Sequence, residues 1–277
     1  MDINTIEFNG LIKKIRTKRT VCVVLTVVFI LGILLSMPIQ LEIMGEHIID
    51  TDGSYALIIL FAIAAFASLF AYVLFSVPIH NALLLECDAR KHLILLTSLE
   101  KEKNVYPMLA TAYFYIGDFD TAIYYDKKAF EKKNANAKIS ALYRKARSEF
   151  FGGRIEDFKK TASDFQAMSN SVKLNEKQQK AILKCNTVIN LFLAIVYEDG
   201  EKIKEFASQL DIVDDTRIST AFDSYLKGLA AYAINDKVES THRFMSVCDI
   251  APKTVLGVLA KEFLGKLNSE NNTDGEI

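Results

Sequence analysis

Apolar positions along this chain change their rhythm once, near residue 85. Before that point they run almost unbroken. Thr20 to Leu41 is 22 residues without a charge, and Gly53 to Leu85 is 33 residues with no charged side chain, His80 aside. Beyond it, apolar residues recur three and four apart with almost no strand-like alternation, and Gly and Pro fall between segments. At 1.5 Å per helical residue, 22 residues reach about 33 Å, enough for a hydrocarbon core of roughly 30 Å. The first pattern predicts transmembrane helices over 20–43 and 55–79. The second predicts helices over 83–98, 104–116, 119–133, 137–151, 155–169, 175–198, 201–210, 215–234, 237–249 and 253–267. The apolar run at 188–197 is only ten residues long, which suits a buried core helix better than a third span. The polar tail, 269–277, is expected to be disordered.

Flanking charge sets the expected orientation. Lys13, Lys14, Arg16, Lys18 and Arg19 precede the first span, whereas the 44–54 loop has no Lys or Arg and carries Glu46, Asp50 and Asp52. Basic flanks stay on the cytosolic side. The expectation is a two-pass integral membrane protein. Its basic segment 1–19 and a helical domain, 80–268, lie in the cytosol, so both termini are cytosolic. The first apolar run is too long for a signal-peptide core, and no small-residue cleavage site follows it. Pro38 and Pro78 sit toward the C-terminal ends of their spans, where a lost backbone hydrogen bond is tolerated. The four cysteines, Cys22, Cys87, Cys185 and Cys248, are widely spaced and form no C-x-x-C pair, which fits reduced thiols.

Helices of about 13 residues in pairs call for a search for an internal repeat. Leu109, Ala110, Tyr113, Gly117, Phe119, Ala122, Ala129 and Phe130 form one copy. A second, 36 residues on, has Ala146 and Gly153 at equivalent places, with Phe158 where a small residue is usual. A third has Gly228, Asn235, Ser240, Phe244 and Pro252. The segment 175–210 fits only with one residue deleted at its turn. This pattern resembles the tetratricopeptide repeat over most of residues 103–252. The fold class expected is therefore all-α: an N-terminal transmembrane helical hairpin followed by a TPR-like α-solenoid of antiparallel helix pairs.

Candidate chemistry is sparse. Asp118 and Asp120 make a D-x-D, but they follow Gly117 between paired helices, where Asp caps the next helix; a nucleotide-sugar site would need an α/β sheet to present it. Asp88 and His92, one helical turn apart beside Cys87, make half a metal site without a second ligand pair, and are expected to form a surface pair instead. No phosphate loop, nucleophile elbow or zinc-protease motif is present. The sequence thus points to no catalytic residue, no metal and no cofactor. Residues 101–160 hold 13 Lys/Arg against 8 Asp/Glu, and residues 161–277 hold 13 against 17. That proximal excess is too weak for nucleic-acid binding and is expected on ordinary solvated helix faces.

The resemblance implies that the first helix of each repeat lines a groove for peptides or proteins. Carried over by position, the groove residues are Asn104, Thr111, Phe114 and Tyr115, then Tyr143, Arg147 and Phe150, then Tyr225 and Tyr232. The carboxylate clamp of some family members is not matched, since Pro107 and Thr111 occupy its positions. Within the bilayer, Gly32 and Ser36 on the first span and Ala64, Ser68 and Ala71 on the second offer small faces at similar depth, and are expected to form the helix seam. The function expected is a non-enzymatic, membrane-anchored adaptor that recruits or senses a cytosolic protein or peptide. The alternative is an accessory subunit of a transport, secretion or protease complex, or an immunity factor, in which the hairpin itself is functional.

Overall fold

The structure is a computed structural model that describes residues 13, 17–34, 51–74, 77–97, 105–131, 134–172, 175–210 and 216–273. Among them there are helices and turns and no strand. Asn104, Ser36, most of the 44–54 loop and the last four residues lie outside the described set. The chain divides into two units, Met1–His80 and Asn81–Ile277.

The first unit holds α1 (Thr17–Leu34) and α2 (Thr51–Leu74). On α1 the residues turned inward include Arg19, Cys22, Thr26, Phe29 and Gly32, which share one helical face. Their partners run backwards along α2, so the helices are antiparallel. Arg19 donates to the Tyr72 hydroxyl, with its guanidinium 4.5 Å from the centre of that ring. The Thr26 and Ser68 hydroxyls stand 2.7 Å apart, and each also reaches a carbonyl one turn back on its own helix, Cys22 and Ala65. Phe29 and Phe61 meet with ring centres 6.4 Å apart, and a Cβ at Gly32 would lie 3.3 Å from the Phe61 ring. Ser68 and half-buried Ala64 and Ala71 share the inward face of α2. Small-against-small pairing would have set Gly32 beside Ala64 to Ser68. Instead, a phenyl ring fills the space over the glycine, and the contact lies about one turn further toward the α2 N-terminus.

Where a helix was expected over 83–98, the structure has the end of α3 (Val77–Leu84), a break, and then α4 (Ala89–Thr97). Cys87 between them has φ +50°, and the Asp88 carboxylate accepts the Lys91 N–H at 2.9 Å, starting the second helix. Then follow α5 (Tyr106–Ile116), α6 (Phe119–Phe130), α7 (Ala135–Phe151), α8 (Ile155–Ser171), α9 (Glu176–Val196), α10 (Gly200–Ser208), α11 (Arg217–Ala233), α12 (Lys237–Ile250) and α13 (Val255–Thr273).

Four of these connections are the same turn. After α5, α7, α9 and α11 comes one residue in the left-handed region: Gly117 (φ +94°), Gly153 (+70°), Glu198 (+55°) and Asn235 (+61°). The next residue donates its N–H to the carbonyl five residues back. These pairs are Asp118 to Tyr113, Arg154 to Glu149, Asp199 to Ala194 and Asp236 to Ala231, at 2.8–3.0 Å. Each of the three aspartates then accepts an N–H three residues on, from Thr121, Lys202 and Glu239, and so opens the second helix. Arg154, which has no capping side chain, bridges instead to Asp157 and, across to the preceding turn, to Asp120 at 2.9 Å. Asp118 is thus the cap at the turn and Asp120 lies in the first turn of α6.

Side chains repeat with the turns. Seven residues before each left-handed position stand Ala110, Ala146, Leu191 and Gly228; five after it stand Ala122, Phe158, Ile203 and Ser240, all buried. In the last pair the backbones come close enough for the Ser240 hydroxyl to donate to the Gly228 carbonyl at 3.2 Å.

Neighbouring helices pack in sequence, and the odd-numbered ones also pack on one another: α5 on α7, α7 on α9, α9 on α11, α11 on α13, and α13 back on α5. Within the second unit these five helices close a ring. Its centre is aromatic: Phe151 lies within 5.2–6.3 Å of Phe114, Phe192, Phe222 and Tyr225, ring centre to ring centre.

Closure depends on Gly117, where an added Cβ would lie 3.0 Å from Val255 Cγ2 on α13. Gly117→Val is expected to destabilise the protein by about 2–4 kcal/mol, from left-handed strain plus overpacking. Gly200→Ala, with open space around its Cβ, should be neutral or slightly stabilising. Glu198→Gly should gain up to about 1 kcal/mol, since a glycine relieves the left-handed strain. Thermal and denaturant unfolding of the three variants in one detergent would test this order.

Candidate functional site

The ring brings several of the sequence-predicted positions together and hides others. Phe114 and Tyr225 are buried in the central aromatic cluster. Phe150 stacks on Phe192 with centres 4.0 Å apart, and Tyr232 meets Phe263 edge-on at 4.9 Å. The Thr111 hydroxyl donates to the Pro107 carbonyl within its own helix. Tyr115, Tyr143 and Arg147 line a cavity of about 240 Å³ in the second unit.

Four odd helices and the end of α10 build that cavity. α7 supplies Tyr143 and Arg147, α5 supplies Tyr115, and α9 supplies the consecutive surface Lys184, Cys185, Thr187 and Val188. Leu210, Phe222 and Leu226 add apolar wall, while Gln209, Ser219 and Asp223 add polar edge. Exposed Lys184 and Gln209 mark its open side, and Thr187, Val188, Leu210 and Leu226 its buried side.

Arg147 dominates the electrostatics. Its side chain is 7% exposed and its guanidinium carbon lies 3.9 Å from the centre of the Phe114 ring, 5.1 Å from Phe222, 5.6 Å from Tyr115 and 5.9 Å from Tyr143. Ring faces attract a cation. The Tyr115 and Tyr143 phenol oxygens also hydrogen-bond with the guanidinium, while Arg147 Nε has no acceptor. Asp223, the one carboxylate on the cavity wall, is paired with Lys227 at 3.0 Å. Burial pushes the Tyr115 and Tyr143 phenols up, and the Cys185 thiol up to about 11, against the pull of Arg147. All three are therefore uncharged donors at neutral pH.

The sequence pattern missed Lys184, Cys185 and Thr187, because α9 belongs to the repeat copy that aligns poorly, and it also missed Phe222 and Asp223 on α11. One signal was there to find. Around Arg147 the positions one turn away are Tyr143, Arg144, Phe150 and Phe151, so no acid is available to it along its own helix.

One other candidate resolves into a structural role. The expected Asp88–His92 surface pair does not form as such. His92 is buried, and the Asp88 carboxylate is taken by the Lys91 N–H and by Lys253 Nζ at 3.0 Å, tying the start of α4 to the α12–α13 turn. Helix α4 packs onto α5, which turns His92 inward. Among the described residues, no cluster of three or more His, Cys, Asp or Glu is placed to hold a metal.

A second cavity, about 230 Å³, lies between α6, α7 and α8, against Asp126, Phe130, Lys145 and Asp164. Asp126 occupies the place filled by Ala162, Ala207 and Phe244 after the other turns. It is 1% exposed, and its Oδ1 accepts from Arg144 Nε at 2.7 Å while Oδ2 has no partner. Next along α7, Lys145 reaches Glu149 at 3.1 Å and donates to the Thr161 hydroxyl at 2.7 Å.

No protein-family model, curated protein or solved structure matches the chain. The class that the fold itself defines is all-helical, built from antiparallel helix pairs that share one turn.

Burial outweighs Arg144 and pushes the Asp126 carboxyl from 3.8 up to about 7. Between those values the folded protein holds a proton that the unfolded chain has released. Stability should therefore fall as pH rises from about 4 to about 7. Asp126→Asn should flatten that slope, read from denaturant midpoints across the same pH series.

Proposed function

We propose that this protein is a non-enzymatic membrane-anchored adaptor. On this reading α1 and α2 cross the bilayer as a hairpin with both termini in the cytosol, and the ring of helix pairs recruits a protein or peptide partner at the membrane face. The observation that carries the proposal is where the apolar side chains go. Three helical segments, Thr17–Leu34, Ile58–Leu84 and Glu176–Val196, are long and apolar enough to cross a membrane. In the third, Val188, Ile189, Leu191 and Phe192 are buried in the protein's own core. The other two turn theirs outward, Phe66 at 75% and Phe70 at 65% exposure among them. A continuous apolar surface of this kind is stable in lipid and aggregates in water.

An adaptor needs no reacting groups, only tethering, which raises the partner's effective concentration at the membrane. Because the odd helices face one another, recruitment would fall to the outer helices α6 and α12, where Tyr124, Val238 and Met245 are exposed. Aromatic and thioether side chains of this kind favour partner surfaces.

The chain should remain in the membrane fraction after alkaline carbonate extraction, and deletion of residues 1–80 should release a soluble helical fragment. A single cysteine placed at Ser269 should resist an impermeant thiol reagent in intact cells and react after permeabilisation. Labelling in intact cells would reject the cytosolic placement, and carbonate release of the full chain would reject the anchor.

A further inference from the structure

We infer that the cavity at Arg147 is a binding site for a small organic carboxylate, held by the guanidinium through its charge and by the apolar wall through its body. The inference is independent of whether α1 and α2 anchor the chain.

Arg147 is a buried cation whose Nε has no acceptor. A guanidinium that is nine-tenths buried needs acceptors for its five N–H donors, and a buried charge without a counter-ion is costly. Among the described residues no carboxylate forms an ion pair with Arg147, while Asp126 and Asp223 are held by Arg144 and Lys227. What surrounds Arg147 is aromatic. Phe114 and Phe222 lie 3.9 and 5.1 Å from the guanidinium carbon, the Tyr115 and Tyr143 phenols hydrogen-bond with the guanidinium, and Nε is left without a partner. A guanidinium with an unpaired Nε–H can take the two oxygens of a carboxylate bidentately.

The rest of the lining narrows the ligand. With Asp223 paired to Lys227, Arg147 and Lys184 leave the wall positive, which suits an anion, and the Asp223 carboxylate on the same wall disfavours a dianionic phosphate beside it. Val188, Leu210 and Leu226 add an apolar surface to the wall, so the ligand should carry a hydrocarbon or aromatic body. The Thr187 and Ser219 hydroxyls can donate to a second oxygen. At about 240 Å³ the space equals roughly eight water molecules, which is room for a metabolite and too little for a drug-sized molecule.

The test compares isosteres on the full chain in mild detergent at constant ionic strength. Benzoate and isobutyrate are titrated against benzamide and isobutyramide, with inorganic phosphate and a short peptide ending in a free carboxylate as further arms. Binding is read by calorimetry and by the shift in melting temperature. The carboxylates should bind at millimolar concentrations or below and raise the melting temperature. The matched amides, which keep the body and lose the charge, should bind about tenfold weaker or worse. Arg147→Gln should abolish the carboxylate preference, and Arg147→Lys should retain part of it. If either variant fails to fold, the acid–amide comparison on the unaltered chain still decides. Equal binding of acid and amide, or binding of neither, overturns the proposal. Phosphate binding as tight as benzoate would show a general anion site, and binding of the peptide alone would show a chain terminus as the occupant; either result rejects a small carboxylate.

Discussion

Everything in the helical unit depends on the contact between α13 and α5. Antiparallel helix pairs stacked with a constant offset would leave one face of the odd helices open as a groove. Here the last odd helix returns to the first, and Gly117 leaves the space that lets Val255 approach. Once that circuit is closed, the side chains that would line a groove face one another, and aromatic rings are what fill the centre. Arg147 is held at this point: a cation among rings, on a helix whose neighbouring positions along the same face carry no acid.

The pairing of helices was legible from local rules. Gly117, Gly153 and Asn235 each announce a left-handed turn, and the polar residue after each begins a new helix. At the fourth turn the break between helices was expected at 199–200, but not its left-handed residue, because Glu198 takes a backbone region that favours glycine. The break at Cys87 escaped for a similar reason: a buried cysteine in a strained backbone reads as one more apolar residue in a continuous helix. In both places neighbouring structure overrides residue preference.

Closure of the ring was not legible, and neither was the cavity it creates. Both depend on packing between residues far apart along the chain, such as Tyr115 with Arg147 or Gly117 with Val255. No periodicity within a single helix encodes those meetings. Phe114, Arg147 and Tyr225, carried over as groove residues from the resemblance, are buried on α5, α7 and α11. Likewise, Ser68 and Gly32 fall on the facing sides of α1 and α2, while their actual neighbours, Thr26 and Phe61, depend on register and on which large side chain fills which gap.

A ring also unfolds differently from a stack. In an open array of helix pairs the end units have a neighbour on one side only, so they fray first and stability declines gradually toward the termini. Here the terminal helix α13 shares a core with α5, α11 and α12, and Phe244, Phe263 and Tyr225 from three helices meet within it. Detaching α13 exposes the first helix pair as well as the last. The unit therefore has no weak end from which to peel, and its helices are coupled into a single cooperative transition.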